Sequence, residues 1–199
     1  MDGDERAAVR DGRAPDHVVL LGLMGAGKTS VGLQLARLMG RPFVDSDLLV
    51  ELDRGRSPVD LEVDEGTSAL HAAELDALRR VLGRRDPVVV AAAASVIDAA
   101  PADELAGAWV VWLDGPPEVL AARLAEDHPR PNLGEDAMST LRDQRTSREP
   151  WARSHADLSV DVTRGTPEAI ADRILDSWHE RDVPSAADVR ATDVRAKDV

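Results

Sequence analysis

The sequence predicts a three-layer α/β/α fold with a five-stranded parallel sheet, helices on both of its faces and a lid loop. A glycine-rich motif typical of phosphate binding directly follows a short apolar strand, and further apolar strands alternate with helical segments. Such alternation is typical of a parallel sheet, because each connection between parallel strands has to cross the sheet. Ligands bind such sheets at the carboxyl ends of the strands, where we expect the functional residues to meet.

The first predicted strand, residues 17–22, leads into Gly22–Thr29, which fits the phosphate-loop pattern G-x-x-x-x-G-K-[ST]. Gly25 and Gly27 let the backbone approach phosphates, and a helix over residues 31–39 directs its positive N-terminal end toward them. The lysine would reach the β- and γ-phosphates, and the threonine hydroxyl would bind Mg²⁺. The flanking strand and helix disfavour the alternative of a plain glycine turn. We therefore expect ATP contacts from Gly25, Ala26, Gly27, Lys28, Thr29 and Ser30.

Lysine is nearly absent from the chain. Of its 24 lysines and arginines, only Lys28 and Lys197 are lysines. An ammonium is a compact point charge, and a guanidinium does not replace it at a phosphate. The composition thus supports a catalytic role for Lys28.

The other elements follow from apolar periodicity and from proline and glycine positions. Further strands are predicted over residues 41–45, 87–90, 108–113 and 158–162. Helices are predicted over residues 48–53, from residue 57 onward, and over 67–83, 116–126, 136–149 and 166–179. Pro150 is expected to end the helix before it, because proline has no N–H to donate within a helix.

We expect one folded domain over residues 16–180, between a disordered N-terminal arm over 1–15 and a disordered tail over 181–199. Both flanking segments are polar, and the tail contains a weak repeat of Ala-Asp-Val-Arg and Thr-Asp-Val-Arg. Proline and glycine predict a loop over residues 127–134, the lid of the fold.

The composition excludes several classes of function. The 199-residue chain has no cysteine, which excludes disulfides and zinc–thiolate sites. A net charge of −13 and 3% aromatic residues disfavour nucleic-acid binding. No apolar run is long enough to cross a membrane, and the acidic N-terminus lacks the apolar core of a secretory signal. We expect a soluble, cytoplasmic monomer that binds small anionic ligands.

Two aspartates close the second predicted strand. Asp45 and Asp47 are two residues apart, so on a strand both carboxylates would point toward the phosphate loop. One would suit the shell of Mg²⁺, and the other would orient or deprotonate an acceptor hydroxyl. The alternative is that Asp47 only caps the helix that follows.

Arginines supply the remaining positive charge. Arg130 lies between two prolines in the predicted lid, and a loop that brings one arginine to the phosphates suits phosphoryl transfer. Arg142, Arg145 and Arg148 recur along one helix face and could grip a carboxylate or a phosphate. The alternatives are a solvated loop arginine and a solvated helix face paired with nearby carboxylates.

These residues resemble the shikimate kinase family of P-loop proteins, from about residue 17 to residue 178. The resemblance is carried by Leu21–Gly32, Phe43–Asp47 and Gly55–Ser57. It implies a P-loop kinase domain over residues 16–180. It also implies ATP-dependent phosphorylation of the 3-hydroxyl of shikimate, with Mg²⁺, in the biosynthesis of aromatic amino acids.

On the nucleotide side, the resemblance implies that Thr29 and Asp45 hold Mg²⁺ and that Arg123 and Pro167 border the adenine. Arg130 would touch both the nucleotide and the transferring phosphate, although its motif reads Arg-Pro-Asn-Leu where the family has Arg-Pro-Leu-Leu. The implied catalytic residues are Lys28, Asp47 and Arg130.

The acceptor side departs from the family in two places. Asp47 would contact the acceptor hydroxyl and Arg148 its carboxylate, but His71 stands where the family has a second carboxylate-binding arginine. An imidazole cannot bind a carboxylate bidentately. The helical spacing of His71 from the leucines that follow it is also compatible with a histidine that faces the core. Ala92–Ala94 replace three glycines, so Ala93 would approach the substrate with its methyl group in the way. Alanine in a left-handed conformation would cost about 1–2 kcal/mol.

We therefore expect an ATP-dependent small-molecule kinase with shikimate as the leading acceptor. One alternative is a related kinase for another hydroxylated acceptor, such as a sugar acid. The other is a nucleotide-binding paralogue without catalysis, which the presence of Lys28, Asp47 and Arg130 disfavours.

Overall fold

The computed structural model describes residues 17–99, 102–127 and 137–181 of the chain. The N-terminal arm, nearly all of the tail, and the part of the lid loop that contains Arg130 lie outside the described residues. Their predicted disorder and the predicted lid therefore stay predictions, as do the cytoplasmic location and the monomeric state.

A parallel five-stranded sheet forms the centre of the fold, as the sequence predicts. Its strands are β1 (His17–Leu21), β2 (Phe43–Asp45), β3 (Val89–Ala91), β4 (Ala108–Asp114) and β5 (Leu158–Asp161). They stand in the order β2-β3-β1-β4-β5, and all neighbours are parallel. All residues of the central strand β1 are buried, which explains why it reads as a continuous apolar run.

Eight α-helices surround the sheet within the described residues. They are α1 (Lys28–Met39), α2 (Ser46–Arg54), α3 (Pro58–Glu65), α4 (Thr67–Leu82), α5 (Val96–Ala99), α6 (Pro117–Asp127), α7 (Ala137–His155) and α8 (Pro167–Glu180). The connection from β1 to β2 runs in one direction across the sheet, and the later connections run in the other. Because such crossovers are right-handed, their helices cover opposite faces, and α8 returns to pack against α1. None of these helices combines the length and apolarity needed to cross a membrane.

Local sequence signals set several helix ends. Gly40 ends α1 with a left-handed φ of 62°. The Ser57 hydroxyl accepts the Asp60 N–H at the start of α3, and the Thr166 hydroxyl accepts the Ala169 N–H at the start of α8. A proline follows each of these two caps, in the position where its missing N–H costs nothing.

The predicted end of a helix at Pro150 is wrong, because α7 continues through this residue to His155. The proline removes one N–H donor, but buried residues on both sides of it, Leu141, Arg148 and Ala152, hold the helix against the rest of the fold. Ser154 adds a bond from its hydroxyl to the Pro150 carbonyl at 3.0 Å. Packing therefore outweighs the local preference of proline.

Candidate active site

The phosphate-binding motif forms a tight loop between β1 and α1. Gly25 and Gly27 have φ angles of 77° and 81°, in the left-handed region that favours glycine. A Cβ atom on Gly25 would also stand 2.5 Å from the backbone oxygen of Leu120, so space requires glycine here as well. Helix α1 begins at Lys28 rather than at Val31, so the loop runs directly into its first turn. The first N–H groups of a helix have no carbonyl partner within the helix, so the start of α1 makes the loop suitable for binding anions.

The Lys28 side chain folds back over the loop. Its Nζ donates to the carbonyl oxygen of Gly22 at 2.8 Å and to that of Leu23 at 3.3 Å. The ammonium is thus held where an anion bound by the loop would meet it.

The two aspartates are placed differently from the prediction. Asp45 ends β2, but Asp47 lies in the first turn of α2, so they are not alternate residues of one strand. Asp45 Oδ2 accepts the Thr29 hydroxyl at 2.8 Å, and its Oδ1 accepts the Asp47 N–H at 3.0 Å. Asp45 is therefore the cap of α2, and the interpretation of Asp47 as that cap is wrong.

A cavity of about 630 Å³ opens over the loop, and both Asp45 and Asp47 line it. Arg123 also lines the cavity, and its Nη2 donates to the Val162 carbonyl at 2.7 Å. The predicted nucleotide contacts that lie within the described residues all line this cavity, and they are Gly25, Ala26, Gly27, Lys28, Thr29, Ser30, Arg123 and Pro167.

The acceptor side, defined here as Ser46, Asp47, Glu74, Ala93 and Arg148, contains a contact that the sequence analysis missed. The Ala93 N–H donates to the hydroxyl of Ser46 at 3.1 Å, and Ser46 is fully buried. This bond ties the end of β3 to the start of α2. The only sequence signal for this contact was the position of Ser46, a small hydroxyl residue between two aspartates.

The predicted strain at the alanines that follow β3 is absent. Among the described residues, only glycines have a positive φ, so no alanine there adopts a left-handed conformation.

Glu74 places a buried carboxyl on the acceptor side. It is 6% exposed and accepts a hydrogen bond from the Ser95 hydroxyl. Burial raises the pKa of Glu74 to about 7 against the opposing effect of the Ser95 bond. The charge of Asp47 raises this pKa and that of Arg148 lowers it, so both charges act on Glu74.

The three predicted arginines of α7 do not converge on one binding site, because each contacts a different part of the fold. Arg142 pairs with Glu118 at 2.9 Å, and Arg145 reaches the end of β4. Arg148 turns inward, and its Nη2 lies 2.7 Å from the Oδ2 atom of Asp98. Of the three, Arg148 is therefore the one that belongs to the acceptor side.

His71 lies one turn before Glu74 on α4 and is half-buried. It is less enclosed than its helix neighbours Leu75 and Leu78, which are buried. His71, Ala93 and Arg148 do not line the cavity over the phosphate loop, and their substrate contacts stay predictions.

The raised pKa of Glu74 predicts how the stability of the chain changes with pH. Folding raises this pKa from 4.5 to about 7, so the carboxyl of Glu74 stays protonated to a higher pH in the folded chain than in the unfolded one. The resulting stabilisation is present below the unfolded pKa and is lost as the pH rises through about 7. Glutamine does not titrate, so the Glu74→Gln variant does not lose this stabilisation. As the pH rises from about 5 to about 8, we expect its unfolding free energy to increase by about 3 kcal/mol relative to that of the unsubstituted chain.

Urea unfolding of both proteins across this pH range measures the difference. Ser95→Ala serves as a second variant, because loss of its hydrogen bond is expected to move the transition to higher pH. A stability difference between Glu74→Gln and the unsubstituted chain that does not vary with pH would contradict the prediction.

Several known proteins are similar to this chain in sequence and in fold. The family model described as shikimate kinase matches residues 24–179. The shikimate kinase of Symbiobacterium thermophilum is 34% identical over 83% of this chain and 97% of its own length, and that of Halorhodospira halophila is 36% identical over 83% and 94%. The structure of shikimate kinase from Acinetobacter baumannii in complex with shikimate gives a TM-score of 0.78 at 29% identity, over 90% of this chain and 99% of that one. The chain therefore belongs to the shikimate kinase family.

Proposed function

We propose that this protein is an ATP-dependent kinase that phosphorylates the 3-hydroxyl of shikimate, giving 3-phosphoshikimate and ADP for chorismate biosynthesis. The observation that carries the proposal is one cavity that contains the phosphate loop, Lys28, the Thr29–Asp45 pair and Asp47. Membership of the shikimate kinase family supports the choice of acceptor over a sugar acid.

On the nucleotide side, the N–H groups of the loop bind the phosphates of ATP, and Lys28 neutralises the charge that develops on them during transfer. Arg123 and Pro167 border the adenine, which agrees with their place in the cavity wall. The resemblance to the family assigns Arg130, which lies outside the described residues, to contact with the transferring phosphate.

The donors at Thr29 and Asp45 fit Mg²⁺, because this ion takes oxygen ligands and keeps several waters beside the substrate phosphates. The Thr29 hydroxyl and the Asp45 carboxylate are 2.8 Å apart at the edge of the loop. Within the described ranges, no three His, Cys, Asp or Glu side chains converge on one point, as a site built by the protein alone would need. When bound, the ion would neutralise phosphate charge.

At the acceptor, Asp47 orients the hydroxyl and takes its proton as the oxygen bonds to the γ-phosphorus. The bond from that phosphorus to the bridging oxygen of ADP breaks at the same time. Arg148 binds the carboxylate of shikimate. The charges of Asp47 and Arg148 both act on Glu74, which supports their assignment to one site.

Release of ADP from ATP and Mg²⁺, with and without shikimate, tests the proposed function. We expect shikimate-dependent ADP and a phosphorylated product of matching amount, identified by mass. ADP formation that depends on gluconate rather than on shikimate would assign a sugar-acid kinase. ATP binding without turnover on either acceptor would point to a non-catalytic paralogue.

A further inference from the structure

Arg148 is already engaged by a carboxylate of the protein itself. Asp98, on α5 just after the strand-end alanines, places its Oδ2 atom 2.7 Å from Nη2 and 3.2 Å from Nε of Arg148. The side chain of Arg148 is 9% exposed, whereas that of Asp98 is 42% exposed. Asp98 thus occupies one edge of a guanidinium that is otherwise enclosed by the fold.

This arrangement resembles the way in which an arginine receives the carboxylate of a ligand. A guanidinium often binds a carboxylate through two of its N–H groups, and here Nε and Nη2 both donate to Oδ2 of Asp98, with a longer bond of 3.4 Å from Nε to Oδ1. The ion pair of Arg148 with Asp98 has no net charge with which to attract an incoming anion. Because Asp47 and Glu74 add further acidic groups nearby, the positive charge available to an acceptor carboxylate is small.

We infer that Asp98 is a specificity-determining residue that competes with the acceptor carboxylate for Arg148 and so weakens the binding of carboxylate-bearing acceptors. The inference rests on the proposed function, in which Arg148 holds that carboxylate. Asp98 retains contact with solvent, so water can hydrate its carboxylate when the acceptor displaces it, whereas Arg148 is enclosed and needs an anion at all times. His71 supplies no second guanidinium that would offset the competition.

Asp98→Asn tests the competition, because an amide has the shape of the carboxylate without its charge. We expect the KM for shikimate to fall about tenfold, equivalent to about 1.4 kcal/mol, while the KM for ATP and kcat change little. Shikimate-dependent ADP release at saturating ATP gives these constants. The methyl ester of shikimate carries no charge at this position, so its KM is expected to stay the same in the variant.

Glu104→Gln is the matched control. Glu104 accepts Nε and Nη2 of Arg79 at 3.0 and 2.6 Å, so it pairs with the same two nitrogen atoms of an arginine that is not part of the acceptor side. Loss of this second pair is expected to leave the KM for shikimate unchanged. A fall in both variants would mean that loss of any such ion pair has this effect, and it would overturn the inference.

The remaining outcomes separate the inference from the proposed function. If the unsubstituted protein phosphorylates shikimate and Asp98→Asn leaves its KM unchanged or raises it, Asp98 only positions Arg148 and the inference is wrong. Should thermal unfolding show that the asparagine variant does not fold, Asp98→Ser removes the same charge and carries the same expectation. If the unsubstituted protein gives no shikimate-dependent ADP, the proposed function itself fails, and the inference fails with it.

Discussion

Lys28→Ala is expected to lower kcat for shikimate-dependent ADP release by about 10²- to 10³-fold. The ammonium is held over the phosphate loop by the carbonyls of Gly22 and Leu23, where it meets the charge that builds up on the transferring phosphate. Alanine leaves that charge without its cation. The fold is expected to persist, because Lys28 is only partly buried and the sheet does not depend on it.

Initial rates of ADP release, together with the thermal unfolding temperature, measure this effect. Lys197→Ala is the control, since positions 28 and 197 are the only lysines of the chain, and it is expected to retain full activity. Lys28→Arg is expected to recover little of the lost rate, because a planar guanidinium does not replace a compact ammonium at a phosphate. A Lys28→Ala protein that remains folded and active would remove Lys28 from the mechanism.

The same scarcity of lysine allows a direct check of position. In the Lys197→Ala protein, Lys28 is the only lysine, so an amine-specific reagent labels this side chain and the N-terminal amine alone. ATP is expected to protect Lys28 from the reagent without protecting the N-terminus. Equal labelling with and without ATP would place the nucleotide away from the loop.

The sequence was most informative where function rests on local geometry. Gly25, Gly27 and Lys28 belong to one continuous loop, so their spacing alone specifies a left-handed turn that leads into a helix N-terminus. The burial of β1 and β4 likewise follows from the apolar runs 18–21 and 108–113 within them. Strand order was not predicted, but alternation of strands and helices was enough to predict a parallel sheet.

Contacts between distant segments were not predictable in the same way. The bond from the Ala93 N–H to Ser46 and the pair of Asp98 with Arg148 join residues 47 and 50 positions apart, and no periodic pattern reports such pairs. The predicted helix end at Pro150 is wrong for a related reason, because packing against distant residues outweighs the local preference of proline. The acceptor side is built from such contacts, which is why its chemistry required the structure.

Asp47→Asn is expected to lower kcat by about 10²- to 10⁴-fold while leaving the affinity for ATP nearly unchanged. Asp47 is exposed at the cavity, in the first turn of α2, and its position is fixed by the bond from its own N–H to Asp45. The amide keeps that backbone bond and the side-chain shape but cannot take a proton from the acceptor. The loss should therefore appear in turnover, since the groups that hold the phosphates are unchanged.

Asp60→Asn separates this chemical role from a general effect of removing an acid from a helix N-terminus. Asp60 also lies in the first turn of a helix, α3, but it does not line the cavity. Both variants are expected to lose about 0.3–1 kcal/mol of stability from the helix dipole, and only Asp47→Asn should lose turnover. Equal losses of ATP affinity and turnover in Asp47→Asn would mean that Asp47 acts on the bound nucleotide, because a group that serves the acceptor hydroxyl alone has no means of changing ATP binding.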